Sequence, residues 1–538
     1  MPTMKKKPAK RKQIVELTPE TLNGMDQDTL VSLVMKLYQQ NQELSERMQQ
    51  FLNEKYGRKT EKHENPDQLT ILPQAGSDSP STDPSNEEPS GPAKKNAPVK
   101  KPGHTRNPMP VHLPHDQKRR DPRPEELNCK CGSQRVKVNE VTRNSRFECI
   151  PMQVYVEEIV DSIWQCPRCS DTVTVAAEVV EPIKNSKAGP RLLCQIAEDR
   201  WLKHLPYHRQ EQAFARLGVP IPRSTICGWM AAVAMILRCI YERMKVELVK
   251  SRIIATDDTP VKVQDRTKKR NIKRGHEWVF MGDAEHPVNL FHYTEGRSRA
   301  GPRKFIPDFK GFLQGDCFSG NRALCAELGA TFVACRAHDR RYYKKAQPNN
   351  KQLCTEMLDM YAELFEVEQT ARNLQLSKED VVSLRQQESV PILTKMKSWL
   401  DKQVISALPS SSFGKAITYS LNNWDALNNF LLDGDLRIDN NLCEQQMKTF
   451  ATGRKGWYFF GSDEAGEHAS IMLSILSTCL RNGVEPGAYL LDVLQRLTIN
   501  PDCDIEELLP HRWKQKIDNA EITVVNDTPK AVIAKSIR

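Results

Sequence analysis

The chain has 538 residues, more than one hydrophobic core usually serves, so several domains are expected. Apolar residues make up 39% and charged residues 27%, and the longest apolar runs, "MAAVAMIL" and "IMLSIL", are far shorter than a bilayer-spanning helix. That argues against a membrane-spanning helix and sets a cytoplasmic protein as the expectation. Lys and Arg number 78 against 68 Asp and Glu, a net charge of +10 that leans towards a polyanionic partner without specifying it.

The N-terminal stretch "MPTMKKKPAKRKQ" is basic, and no apolar segment follows it, so it does not read as a secretory signal. Residues 1–25 are expected to be a disordered basic tail. Over 26–58, Leu30, Leu37, Leu44 and Phe51 recur every seven residues, with Leu33, Val34 and Met48 between them. This spacing predicts a helix with a coiled-coil-like seam, which serves either self-association or packing on its own chain. Residues 59–120 are rich in Pro, Ser, Asn and Lys and cannot build a core, so a disordered linker is expected.

The chain carries 15 cysteines, and most sit singly in apolar patterns, as Cys194, Cys239 and Cys479 do. Those read as buried reduced thiols. Within 121–175 the spacing changes: Cys129 and Cys131 form one knuckle, Cys166 and Cys169 another, and alternating stretches, "RFECI" and "VYVEEIV", lie between them. Four thiolates on two turns bridged by a hairpin suit a tetrahedral structural Zn²⁺. Cys-Pro-Arg-Cys has the usual spacing, whereas Cys129-x-Cys131 is one residue short. Cys149 is a competing ligand in a strand-like stretch.

Residues 185–250 read as helical. "EQAFARLGVPIPRSTICGWM" gives a helix ending near Gly218, a short turn, and a second helix that opens with Arg223, Ser224 and Thr225 and turns Ile226, Trp229 and Met230 inward. This is how a helix-turn-helix presents polar N-terminal residues to DNA, although helical hairpins in general look alike.

From 251 the pattern becomes α/β. "RIIAT" reads as a strand reaching Asp257; "EWVFMGD" and "VNLFHYT" read as the next two. A helix-like basic stretch, "RSRAGPRKFI", precedes a short strand that ends on Asp316 in "GFLQGDCFSG", and "ATFVAC" is one more strand before "RAHDRRYYKKA". Three strands, helix, strand, helix, strand is a ribonuclease-H-like order, a mixed sheet with helices on its faces. That arrangement sets the ends of the first and fourth strands side by side, and with them Asp257 and Asp316. A third acid, Glu444, lies early in the helix predicted from "RIDNNLCEQQMKTFATGRKGW", with Asp439 able to cap it. The helical sequence of 346–434 reads as an insertion into a core formed by 251–345 and 435–482, and 483–538 as a helical appendage and tail.

Three convergent carboxylates suit phosphodiester chemistry. Two Mg²⁺ ions (or Mn²⁺) about 3.5–4 Å apart can activate an attacking oxygen and stabilise the leaving one, and hard cations prefer carboxylate oxygens. Without metal, such acids repel and hold one another's protons. Taken singly, each also reads as a strand end or a cap facing solvent. Strand alternation keeps Asp257 and Asp258 from pointing into one site together.

"YGRKTEKHENPDQL", "HLPYHRQEQAFARLGVPIPRSTICGWM", "ATDDTPVKV", "CRAHDRRYY" and "DNNLCEQQMKTFATGRKGWYFFGSDEAGEHAS" resemble the transposases of the insertion sequence 66 family, which are DDE-type enzymes. The resemblance covers roughly 30–500. It implies Asp257, Asp316 and Glu444 as the metal-binding catalytic triad, with Asp258 supporting the ligands from behind or capping the strand end. It also implies cleavage at the element's terminal inverted repeats and joining of 3′ ends to target DNA by a bacterial, nucleoid-associated protein. Homo-oligomers and small accessory proteins from the same element are expected partners. His338, Arg340, Arg341, Lys448, Arg454 and Lys455 are candidates to hold phosphates, each also readable as ordinary surface charge. Two departures stand out: the short first knuckle, and "CFSGN" after Asp316, where the family more usually has a Tyr-containing run. The rival readings are a non-catalytic DNA-binding repressor derived from a transposase and a structure-selective nuclease of the same fold.

Overall fold

The computed structural model describes residues 26–56, 154–156, 163–165, 172–174, 181–268 and 270–519. The chain divides into two units, one comprising 1–67 and 157–527, the other 68–156 with 528–538. Of the second unit only 154–156 is described, and it has no regular structure although "VYV" alternates like a strand. The proposed zinc ligands Cys129, Cys131, Cys166 and Cys169 lie outside the described residues, as do the expected tail and linker.

In the first unit, α1 (Gln27–Tyr56) is the predicted N-terminal helix. Asp26 caps it, its carboxylate accepting from the Thr29 amide at 2.8 Å and hydroxyl at 2.7 Å. Leu37, Leu44 and Met48 of the seven-residue stripe are exposed. Strands β1 (Ile163–Gln165) and β2 (Thr172–Thr174) pair antiparallel, with Gln165 opposite Thr172.

Four helices follow: α2 (Pro190–Trp201), α3 (Tyr207–Arg216), α4 (Arg223–Ile236) and α5 (Arg238–Val249). The turn from α3 to α4 needs a left-handed residue, and Gly218 supplies it at φ +77°. Ile226, Met230 and Val233 of α4 are buried; Trp229, expected to face inward, is half-buried. No single helix among the described residues is long and apolar enough to cross a membrane.

The sheet begins with β3 (Ile253–Gln264), β4 (Ile272–Met281) and β5 (Asn289–Thr294). Next come α6 (Ala300–Phe305), β6 (Phe312–Gly315), α7 (Ser319–Leu328), β7 (Thr331–Ala334) and α8 (Arg336–Ala346). Strand order is β5-β4-β3-β6-β7; β3, β4 and β5 run antiparallel, while β6 and β7 join parallel to β3. The sequence suggested that the first strand ends at Asp257. It instead continues to Gln264, because its pairing with β4 extends to Gln264 opposite Ile272.

Proline in mid-strand is tolerated here for a reason that also shapes the site. The carbonyls of Thr256 and Pro260 accept from Asn440 and Arg454, so the even-numbered residues turn their backbone groups away from β4. The missing N–H of Pro260 therefore removes no bond to β4. On that side β6 stops beside Ala255, and the next neighbour joins only at Lys262. Between them, one edge of β3 is open.

The helical insertion comprises α9 (Lys351–Asn373), α10 (Lys378–Leu384), a π-turn over Arg385–Ser389, α11 (Val390–Ser406), α12 (Ser412–Asn422) and α13 (Trp424–Asn428). Its core of Met357, Tyr361, Leu364, Met396 and Phe413 packs on Val333 of β7 and Tyr343 of α8. Buried Arg385 ties it together, donating to both oxygens of Glu368 (2.8 and 2.7 Å) and to the carbonyls of Phe430, Asp433 and Leu436.

The chain then returns to the sheet through α14 (Asn441–Trp457), β8 (Phe459–Phe460) and α15 (Asp463–Arg481). Strand β8 pairs parallel with β3 at Lys262 and Val263. Helix α15 covers β5: Thr478 and Ser474 hydroxyls accept from the amides of Asn289 (2.9 Å) and Phe291 (2.7 Å). Two last helices, α16 (Pro486–Ile499) and α17 (Pro510–Asp518), pack on α2 and α15 rather than standing apart as an appendage.

Candidate active site at the open edge of β3

The open edge of β3 is where the sheet collects its acids. Asp257 lies within it, Asp316 follows directly on β6, and Glu444 stands in the first turn of α14. The Asn440 side chain, at the N-terminus of α14, donates to the Thr256 carbonyl at 2.9 Å and so pins the Glu444 turn beside Asp257. Asp439, expected as the cap, sits one residue before the N-cap position, accepting from the Asn441 amide at 3.1 Å and side chain at 2.8 Å.

Asp257 feels the other two acids. Burial pushes the Asp257 carboxyl up from 3.8 to about 7, and repulsion from Glu444, Asp316 and Asp258 adds to it, against one favourable bond from the Asp258 amide. Asp316 is oriented by the Phe318 amide (3.2 Å) and the Asn321 side chain (3.1 Å), both on its Oδ1. Glu444 Oε1 lies 3.5 Å from His338 Nδ1 and its Oε2 lies 3.8 Å from Arg341. Ligand atoms of Cys335, His338 and Glu444 all fall within 4.8 Å of one another.

Buried polar atoms without a hydrogen-bond partner gather at this point. They include Glu444 Oε1, His338 Nδ1, Thr256 Oγ1 and Asn440 Oδ1. An unpaired buried acceptor is unfavourable by about 1–3 kcal/mol, and more when charged. A buried carboxyl repelled by neighbouring acids, with the Glu444 Oε1 and Asn440 Oδ1 acceptors unsatisfied, fits a cation, and the oxygen donors of Asp257, Asp316 and Glu444 suit a hard divalent one.

Asp258 belongs to a different set of contacts. Its side chain is 4% exposed and receives His276 Nδ1 at 2.8 Å and a forked Arg297 at 2.7–3.1 Å. Arg297 in turn lies over the Phe318 ring at 3.8 Å and 3.7 Å from Asp316 Oδ2. The adjacent aspartates thus have separate environments, one among the acids and one anchoring an arginine that reaches Asp316. Sequence reasoning missed Arg297. The only available signal was its place in a basic loop, "GRSR", which names no partner.

Of the phosphate-contact candidates, His338 and Arg341 border Glu444, while Lys448 and Lys455 are exposed and Arg340 is half-buried. Arg454 uses its guanidinium on Thr259 Oγ1 (3.0 Å) and the Pro260 carbonyl, which makes it part of the β3 scaffold. Arg223 and Ser224 stand exposed at the start of α4, with Thr225 half-buried. The Arg223 amide donates to Glu211 at 2.9 Å, joining α4 to α3.

Residues 185–468 match the family model described as Transposase IS66 family, and 474–511 match the IS66 C-terminal element. Residues 43–117 match Transposase C of IS166 homeodomain, which spans the end of α1 and the stretch read from composition as linker. Two relatives from Sinorhizobium fredii are named uncharacterized proteins y4hP and y4jD. The first is 28% identical over 433 residues, covering 76% of this chain and 77% of its own. The second is 28% identical over 425 residues, covering 76% and 81%.

Proposed function

The chain belongs to the IS66 transposase family, and from that premise we propose that it cuts phosphodiester bonds at the ends of its element and joins the 3′ ends to target DNA. The observation that carries the chemistry is the convergence of Asp257, Asp316 and Glu444 on one open strand edge, with the proton of Asp257 held up to about 7. Strand order β5-β4-β3-β6-β7 supports reading the sheet as a ribonuclease-H-like core.

Asp257, Asp316 and Glu444 would hold divalent cations, Mg²⁺ or Mn²⁺; when bound, these supply Lewis-acid activation of the attacking oxygen and charge stabilisation at the leaving one. The remaining work falls to the chain. Asn321 and the Phe318 amide fix the rotamer of Asp316 through its Oδ1, leaving its Oδ2 3.7 Å from Arg297. Asn440 fixes the turn that carries Glu444. Arg297, clamped by Asp258, and Arg341 would neutralise the phosphate at the acid cluster. Arg223, Ser224 and Thr225 on α4, together with the 43–117 segment, are the candidates for recognising the terminal repeats. Lys448 and Lys455 would add phosphate contacts.

The test is strand transfer of labelled element ends with Mg²⁺, run beside a DNA-binding measurement at fixed salt. Asp257→Ala, Asp316→Ala and Glu444→Ala should each abolish cleavage and joining while retaining binding. Asp258→Ala should retain partial activity, because it acts through Arg297. Full cleavage by Glu444→Ala would remove Glu444 from the reading.

A further inference from the structure

Beyond the open edge, β3 and β4 run on as a hairpin whose turn carries a row of cations that the acid cluster does not use. Lys262, Arg266, Lys268, Arg270 and Arg274 are all exposed, and none has an ion-pair partner among the described residues. Lys273 differs: Glu295 (2.8 Å) and Asp463 (2.6 Å) hold it.

The turn is built rather than loose. The Asp265 carboxylate accepts from the Thr267 amide (3.0 Å) and hydroxyl (2.6 Å), and its own amide donates to the Asn271 carbonyl at 2.9 Å. Asn271 takes the left-handed conformation at φ +53°, which asparagine tolerates better than most residues.

Register places the inner cations in line. Lys262 lies opposite Arg274 on β4 and opposite Phe459 on β8, so the three side chains share one face. Alternation puts them on the same face as Asp258, the anchor of Arg297. Nearby Arg454 has its pKa lowered by burial first and then by the charge of Arg274, so these two cations lie close enough to repel.

We propose that this hairpin is an arm for the phosphate backbone of duplex DNA, running along the flanking duplex on the face of Asp258 and joined to the acid cluster through Arg297, which bridges Asp258 and Asp316. The inference rests on the reading of the chain as a DNA-processing protein and adds to it the surface that holds the duplex outside the cleavage point. At about 3.3 Å per strand residue, Lys262 lies roughly 13 Å from Asp258 and the turn roughly 25 Å. With one base pair per ~3.4 Å, the arm would meet phosphates about four to eight base pairs from the scissile one.

The experiment is a salt titration of binding between the full chain and a 40-base-pair mixed-sequence duplex, followed by anisotropy. Each lost phosphate contact lowers the slope of log K against log salt by about 0.9. The Arg266→Gln/Lys268→Gln/Arg270→Gln variant should lose roughly 2–3 in slope and at least ~10-fold in affinity at 0.1 M salt. Lys262→Gln/Arg274→Gln should lose a slope of roughly 1–2. A control that removes three exposed lysines from the insertion, Lys395→Gln/Lys402→Gln/Lys415→Gln, should leave the slope unchanged. Equal losses in arm and control variants, or none in either arm variant, would overturn the arm while leaving the transposase reading intact. Failure of the wild-type chain to bind any duplex would overturn both.

Discussion

The most demanding test of the acid cluster is thermodynamic. Asp257 ionises near 3.8 in an unfolded chain but only near 7 in the folded one, where burial and three neighbouring acids oppose its charge. Below pH ~4 both states carry the proton and the group is neutral in the balance. As pH rises from there, the unfolded chain releases its proton first, so stability falls, and the loss is complete above pH ~7. A separation of about three pH units at ~1.4 kcal/mol each sets that loss on the order of 4 kcal/mol. Asp257→Asn removes the ionisable group and keeps an oxygen to accept from the Asp258 amide. In EDTA, the variant should exceed the wild type in urea-unfolding free energy by roughly 4 kcal/mol at pH 8 and by less than half of that at pH 5. Adding Mg²⁺ at pH 8 should raise the wild type and move the variant far less. Equal stability of the two proteins at pH 8, or a gap that does not widen between pH 5 and 8, would refute the view that these acids strain the metal-free fold.

Three further outcomes are expected. Arg385→Ala leaves Glu368 buried and unpaired, which should lower stability by about 3–5 kcal/mol; denaturant unfolding should show Arg385→Met/Glu368→Leu milder than that single change. Leu37→Lys/Leu44→Lys places charges in the exposed stripe of α1, and sedimentation should show a smaller assembly than the wild type; an unchanged one would mean that α1 packs elsewhere. Metal analysis of the full chain should find one zinc, lost in Cys166→Ser/Cys169→Ser, and stoichiometric zinc surviving that change would dismiss the four-cysteine assignment.

Much of the site was legible because its residues carry local signals. Asp257 follows an apolar β-branched run, Asp316 ends a short strand, and Glu444 opens an amphipathic helix. Each position could be read from one stretch of chain. Alternation separated Asp257 from Asp258, and the structure gives them different partners. What escaped was whatever depends on meeting across the sequence. The end of β3 could not be placed at Gln264, because the strand is prolonged by pairing with β4 and tolerates Pro260 only because its backbone faces the other way. Arg297 could not be matched to Asp258 and Asp316, since a basic loop gives no hint of which acids it will reach. Arg454 looked like a phosphate ligand, but a neighbouring strand carbonyl claims it. The cations of the hairpin turn were visible as letters; only the continued strands make them a projecting arm.

The hydroxyls of α15 have a consequence for how copies of this protein can meet. Ser474 and Thr478 occupy the outward amides of Phe291 and Asn289, and Tyr241 takes the Phe291 carbonyl at 2.8 Å. At the opposite margin the Asn429 side chain donates to the Phe332 carbonyl of β7 at 2.8 Å. An incoming strand would find these positions already taken. A second copy of this chain therefore cannot extend the sheet at these positions.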